Sequence, residues 1–174
     1  MMARTLLIVT VAFMALTFKT VNCGKRVCRT FQEDHKGKYE KCDMNFEKVG
    51  CYRDEDNDRA LPCELLNERD VISKNYDGHR IDWKKFQEYI QGLACRCAAI
   101  AREKGHEIFG LQFYGECWSG EGDYKKLGIE SRKTKCVDGN YKQCDDNNKD
   151  VCVGAQHTNY VYRLKYTHTC GNDE

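Results

Sequence analysis

Twelve cysteines are the residues of this chain best equipped for chemistry, and their spacing decides which chemistry it is. Cys28, Cys42, Cys51, Cys63, Cys95, Cys97, Cys117, Cys136, Cys144, Cys152 and Cys170 follow Cys23 at wide intervals. A zinc site built on them would need CxxC pairs or histidines at ligand spacing. The only tight pair is Cys95-x-Cys97, and the five histidines are scattered. Structural disulfides are therefore expected, each contributing about 2–4 kcal/mol. Their pairing stays open, because connectivity cannot be read from a sequence.

Carboxylates come next. Asp54, Asp56 and Asp58 stand at alternate positions, as at the start of a calcium loop. Arg59 replaces the glycine such a loop needs at its sixth position, and Leu65 replaces the bidentate glutamate at its twelfth. A solvated acidic loop is the expectation, with weak extracellular calcium contact as the competitor. The Asp145–Asp150 cluster is incomplete in the same way. Hydrolase chemistry finds no footing: HExxH and GxSxG are absent, and His79, His106 and His157 are isolated. Cys117 before Trp118 has the look of a reactive thiol, but among so many cysteines half a cystine is the expectation. No catalytic residue and no cofactor are predicted.

Aromatics supply the remaining candidates. Tyr52, Tyr114, Trp118, Tyr160 and Tyr162 lie near cysteines and strand ends, where packing over disulfides is the simplest role. Beside polar groups they could instead form a contact surface, since an aromatic ring offers apolar area at low entropic cost. The proposed contact set is Tyr114, Glu116, Trp118 and Tyr160, with Gln112 and Asn159 supplying hydrogen bonds.

The elements that must position these groups centre on residues 82–120. Phe86, Ile90, Leu93, Cys97 and Ala101 recur at helical steps, giving one apolar face. Asp82 is the expected N-cap, with Ile81 and Phe86 as a hydrophobic staple, and Gly105 is the expected terminator. Cys95 and Cys97 leave this helix about 200° apart. Gly92 weakens its middle by about 1 kcal/mol relative to Ala, so a break is allowed there. The period then changes to two, with Phe109, Leu111 and Phe113 on one side and Ile108, Gly110, Gln112 and Tyr114 on the other. Val49–Tyr52 reads as a short strand, Cys63–Glu68 as a helical turn, and Tyr160, Tyr162, Leu164 and Tyr166 as one face of a closing strand. The fold expected is a small disulfide-rich α+β single domain: one main helix packed on a short antiparallel sheet, with long stapled loops.

Around this core, residues 1–23 read as a secretory leader, with Arg4 before a short apolar run. Cutting before Gly24 leaves eleven cysteines, and cutting after Thr17 leaves all twelve. Residues 24–48 form a cysteine-containing extension, and residues 49–170 the domain. A net charge of +1 argues against nucleic acid, and no stretch is long enough for membrane insertion. No N-x-Ser/Thr acceptor occurs.

The blocks Gly50-Cys51-Tyr52-x-Asp54, Arg59-x-Leu61, Cys97-Ala98 with Gly105, Phe109-Gly110-Leu111-Gln112, Glu116-Cys117-Trp118-x-Gly120, Cys152-x-Gly154 and Asn159-Tyr160-Val161-Tyr162 resemble the WSC domain. That family comprises small secreted disulfide modules associated with carbohydrate binding. The likeness covers about residues 49–164. Ser119 stands where WSC domains carry a further cysteine, the Leu61–Cys95 segment is longer, and extra cysteines follow Gly120. The chain also resembles small secreted cysteine-rich proteins of corals and sea anemones, which occur in matrix and skeletal settings. The resemblance implies a secreted, non-enzymatic, extracellular binding module whose partner is a glycan or matrix protein. A structural component of a mineralised matrix with weak calcium contacts, and a secreted toxin, are the alternatives.

Overall fold

The computed structural model describes residues 45–132 and 134–165. The leader, Cys23, Cys28, Cys42, Tyr166 and Cys170, on which several expectations rest, lie outside the described residues. Among the described residues the elements run β1 (Phe46–Arg53), β2 (Cys63–Asn67), α1 (Phe86–Glu103), β3 (Ile108–Gln112), β4 (Glu116–Ser119), β5 (Cys136–Asp138), β6 (Cys152–Gly154) and β7 (Thr158–Leu164). Five strands form one antiparallel sheet in the order β1-β7-β3-β4-β2, and β5 and β6 form a two-stranded ribbon. This is the small disulfide-rich α+β architecture expected, with one helix on an antiparallel sheet.

Strand register sorts the candidate residues of β3, β4 and β7 to two faces. Leu111 lies opposite both Cys117 and Tyr160, and Phe109 opposite both Ser119 and Tyr162. These side chains share the inner face, because opposed residues in an antiparallel pair point the same way. The inner face is covered by α1 over β2, β3 and β4, and by the ribbon over β3 and β7. Gly110, Gln112, Glu116, Trp118, Asn159 and Val161 point to the outer face. Phe109 stacks on Tyr162 at 5.0 Å, and Phe46 meets both rings edge-on. The Tyr162 hydroxyl is buried and donates to the Cys152 carbonyl at 2.7 Å, while the Cys152 N–H donates back to it at 2.6 Å.

Disulfides fasten this cover. Cys97–Cys117 ties α1 to β4, Cys51–Cys136 ties β1 to β5, and Cys144–Cys152 closes the loop inside the ribbon. Cys63 and Cys95 are also in disulfide form.

The helix buries the predicted face: Phe86, Ile90, Leu93, Cys97 and Ala101 are all enclosed, each large apolar side chain contributing about 1.5–3 kcal/mol. Gly105 adopts φ +76° and ends the helix as expected. The Gly105 N–H donates to the Arg102 carbonyl and the His106 N–H to the Ala101 carbonyl, the two bonds of a Schellman motif. The start differs. Asp82 accepts the N–H groups of Lys84 and Lys85, so it caps a turn that precedes a helix beginning at Phe86. No break occurs at Gly92. A Cβ there would come 2.9 Å from Arg96 Nη1, so the missing side chain leaves room for the guanidinium.

Two other expectations are corrected. Cys63–Asn67 is a strand rather than a helical turn, because its backbone pairs with β4. Strand β1 starts at Phe46, before Val49, with a register shift between Lys48 and Gly50. Among the described residues no helix is long and apolar enough to cross a membrane.

Candidate functional site

The β3–β4 hairpin turns sharply. Strand β3 stops at Gln112, and Phe113 and Tyr114 both adopt left-handed backbone, with φ +46° and +67°. Phe113 and Tyr114 therefore leave the alternation the sequence suggested. Each non-glycine residue held this way costs about 1–3 kcal/mol unless its surroundings fix it. Here they do. The Arg69 guanidinium lies 3.2 Å from the Phe113 ring centre, and Tyr114 packs edge-on against Trp83 and Phe86.

Tyr114 thereby forms one wall of a cleft of about 660 Å³, shared with Trp83, Thr134, Val137, Tyr141 and Gln143. Buried Phe86 supports the aromatic part. Trp83 stacks on it at 5.5 Å and 14°, and Tyr141 at 4.7 Å and 7°. The Tyr141 hydroxyl donates to the Trp83 carbonyl at 2.7 Å, joining two loops 58 residues apart. Despite this packing Trp83 is 53% exposed and Tyr141 52% exposed. The cleft thus presents packed aromatic surface to solvent, with Thr134 and Gln143 as polar residues in its lining. Cavities of this size with mostly apolar walls and a few polar groups are the usual form of small-ligand sites.

The six residues predicted from sequence divide among three places. Tyr114 lines the cleft. Tyr160 lies on the inner face with its hydroxyl donating to Asp146, and burial pushes its pKa well above the ordinary range. It cannot act together with Asn159, because neighbours on a strand point to opposite faces. Gln112, Glu116, Trp118 and Asn159 do come together on the outer face, but as a closed cluster. Gln112 and Asn159 are each 1% exposed. Glu116 accepts bonds from Arg69 Nη1 at 3.1 Å and Trp118 Nε1 at 3.0 Å, and a longer one from Gln112 Nε2 at 3.4 Å. The Arg59 guanidinium sits 4.1 Å from the Trp118 ring centre, on the surface a planar ligand would need. Gln112 Oε1 and both polar side-chain atoms of Asn159 have no hydrogen-bond partner within the protein. A Cβ on Gly110 would lie 2.6 Å from Asn159 Oδ1, so only glycine leaves Asn159 its place.

The acidic run serves this closed face. Asp54 is buried and accepts Arg59 Nη1 at 2.6 Å and the Ala60 N–H at 2.8 Å. Asp56 pairs with Arg59 Nη2 at 2.5 Å and His157 Nε2 at 3.0 Å, and Asp58 with Lys126 at 2.5 Å. The hydrogen bond from His157 is the first cause lowering the Asp56 pKa. Asp54 and Asp56 share the Arg59 guanidinium and Asp58 turns to Lys126, so among the described residues the three carboxylates do not gather at one centre and the calcium expectation gains no geometry.

Sequence reasoning missed Trp83, Tyr141, Thr134 and Gln143. Trp83 carried a signal, a large aromatic outside the apolar period of the helix; the others become neighbours only through the fold. No protein-family model matches the chain, and no curated protein matches it.

Proposed function

We propose that this chain is a secreted, non-enzymatic binding module that takes a glycan in the cleft of Trp83, Tyr114 and Tyr141. The observation that carries this reading is the pairing of two large, half-exposed aromatic rings at one cleft, each stacked on the same buried Phe86. The apolar C–H face of a pyranose stacks on such a ring, while its hydroxyls need nearby donors and acceptors such as Thr134 and Gln143. Because the rings are already held, little rotamer entropy is lost on binding. The disulfides and the leader-like N-terminus support secretion, and the WSC-like blocks support a carbohydrate as ligand class.

A glycan array followed by titration of the best sugar tests the reading. Trp83→Ala should weaken binding at least about tenfold, or about 1.4 kcal/mol, and Trp118→Ala should leave it unchanged in protein that remains folded. Equal binding by wild type and Trp83→Ala removes the cleft as the site.

A further inference from the structure

The cleft of Trp83, Tyr114 and Tyr141 does not stand alone. A second cavity, of about 180 Å³, shares Gln143 with it as a lining residue. Two stretches of chain pass from one to the other. Residues 129–132 line the second cavity and Thr134 the first, while Gln143 leads on to Cys144 and Asp146 in the second. Backbone bonds hold the junction: Gln143 bridges to Val137 in antiparallel register, and the Cys144 N–H donates to the Cys136 carbonyl at 3.0 Å. Cys51–Cys136 then fastens β5 to β1, which supplies a wall of the second cavity.

We infer that the two cavities form one groove for a linear, neutral oligosaccharide, with a stacking subsite at Trp83 and a polar subsite at Arg132. This rests on the reading of the first cleft as a glycan site and extends it from one sugar ring to a run of linked rings.

The second cavity holds the groups that a following ring needs. Arg132 Nε and Nη2 donate to the two carboxylate oxygens of Glu130 at 2.9 and 2.6 Å, and the Glu130 side chain is fully enclosed. A bidentate pair of this kind fixes the plane of the guanidinium. The Arg132 side chain is nevertheless largely exposed, and its Nη1 makes no hydrogen bond among the described residues. A donor held in this way bonds a sugar hydroxyl at little cost in side-chain entropy. Asp146, which accepts the Tyr160 hydroxyl at 2.5 Å, supplies an acceptor in the same lining. Ile129 is 67% exposed there and offers apolar area for the C–H edge of a ring.

Charge narrows the sugar class. Among the described residues no charged side chain lines the first cleft, and in the second the Arg132 charge is matched by Glu130. A sulfated or carboxylated chain would find no unmatched cation in either lining and would share the second with Asp146.

The test takes the sugar selected by the glycan array and titrates it calorimetrically into the intact, disulfide-bonded chain, as the monosaccharide and as its linear di-, tri- and tetrasaccharides. Affinity should rise at least about tenfold from the monosaccharide to the trisaccharide. Ile129→Ala and Arg132→Lys should each lower trisaccharide affinity at least about threefold and leave monosaccharide binding unchanged. The Ile129 side chain is exposed, and lysine keeps a cation beside Glu130 while losing the planar fork, so both variants keep the fold. Trp83→Ala should weaken every length. Affinity that does not grow with length, equal trisaccharide binding by both variants and wild type, or a preferred sugar that carries sulfate or carboxylate overturns the groove while the first cleft stands. Unchanged binding of every length by Trp83→Ala removes the first cleft, and the groove falls with it.

Discussion

The cleft and the outer face of the sheet are built from the same kinds of side chain and end in opposite states. Both hold a tryptophan, a glutamine and polar neighbours, and the outer face matches the sequence expectation of a binding surface more closely. Yet on the outer face Arg59 covers Trp118, Glu116 gathers three donors, and Gln112 and Asn159 are enclosed. At the cleft Trp83 and Tyr141 each stack on Phe86, and among the described residues no charged side chain lines it. The lesson is that residue chemistry nominates a site, but the intramolecular partners of those residues decide whether it stays available. An aromatic face already occupied by a guanidinium must lose that contact before it can take a sugar.

The largest perturbation that separates the two regions is removal of Cys51–Cys136. This bridge spans 85 residues and fastens the ribbon, whose Val137 and neighbouring Tyr141 and Gln143 line the cleft. Changing both cysteines to alanine should cost about 2–5 kcal/mol in denaturant unfolding. It should also abolish ligand binding while Trp118 fluorescence in the folded protein stays native. Loss of the Trp118 environment as well would mean that the two regions form one cooperative unit.

Gly110→Ala tests the opposite region. The added Cβ would meet Asn159 at its Oδ1, Cγ and Cβ, at 2.6, 2.9 and 3.0 Å, so a side chain near its root must shift. An overpacking cost of about 1–3 kcal/mol is expected, read as a lower denaturation midpoint, with cleft affinity unchanged. Arg59→Ala should follow at about 1–2 kcal/mol, because Asp54 stays buried with only the Ala60 N–H as donor. The same variant frees the Trp118 ring. If it acquires sugar binding on the outer face, the covering guanidinium was the only obstacle there.

Much of the architecture can be read from local pattern, and the reasons are physical. Helix α1 follows from the recurrence of Phe86, Ile90, Leu93, Cys97 and Ala101, and its end from Gly105, since both signals act within a few residues. Strand β2 could not be separated from a helical turn, because Glu64–Asn67 becomes extended through pairing with β4, some fifty residues away. The error over Tyr160 has another character. Alternation along β7 already puts Asn159 and Tyr160 on opposite faces, so the sequence held the correction. The cleft is the least visible feature of all. Trp83 and Tyr141 are joined by a side-chain-to-backbone bond across 58 residues, and Tyr114 enters it from a left-handed turn that no glycine or asparagine announces at that position.

Acid should sharpen the comparison by the smallest margin. Among the described residues the cleft lining contains no carboxylate, whereas the rest of the surface is held in part by carboxylate pairs. Glu130 is the clearest of these: hydrogen bonds from Arg132 lower its pKa to about 2. A carboxylate whose pKa falls on folding stabilises the native state above its unfolded value, near 4.5, and that contribution is lost as pH falls towards 2. Because Arg132 is largely exposed, solvent screening limits the contribution to about 1 kcal/mol or less. Wild type should thus exceed Glu130→Gln in stability at pH 7, and the gap should close by about pH 2. Sugar affinity at the cleft should stay level from pH 7 to about pH 4, wherever the protein remains folded, since among the described residues its lining holds no carboxylate and no imidazole. A cleft affinity that fell in step with the Glu130 contribution would show the open region to be coupled to the ion-paired one, and the separation between them would fail.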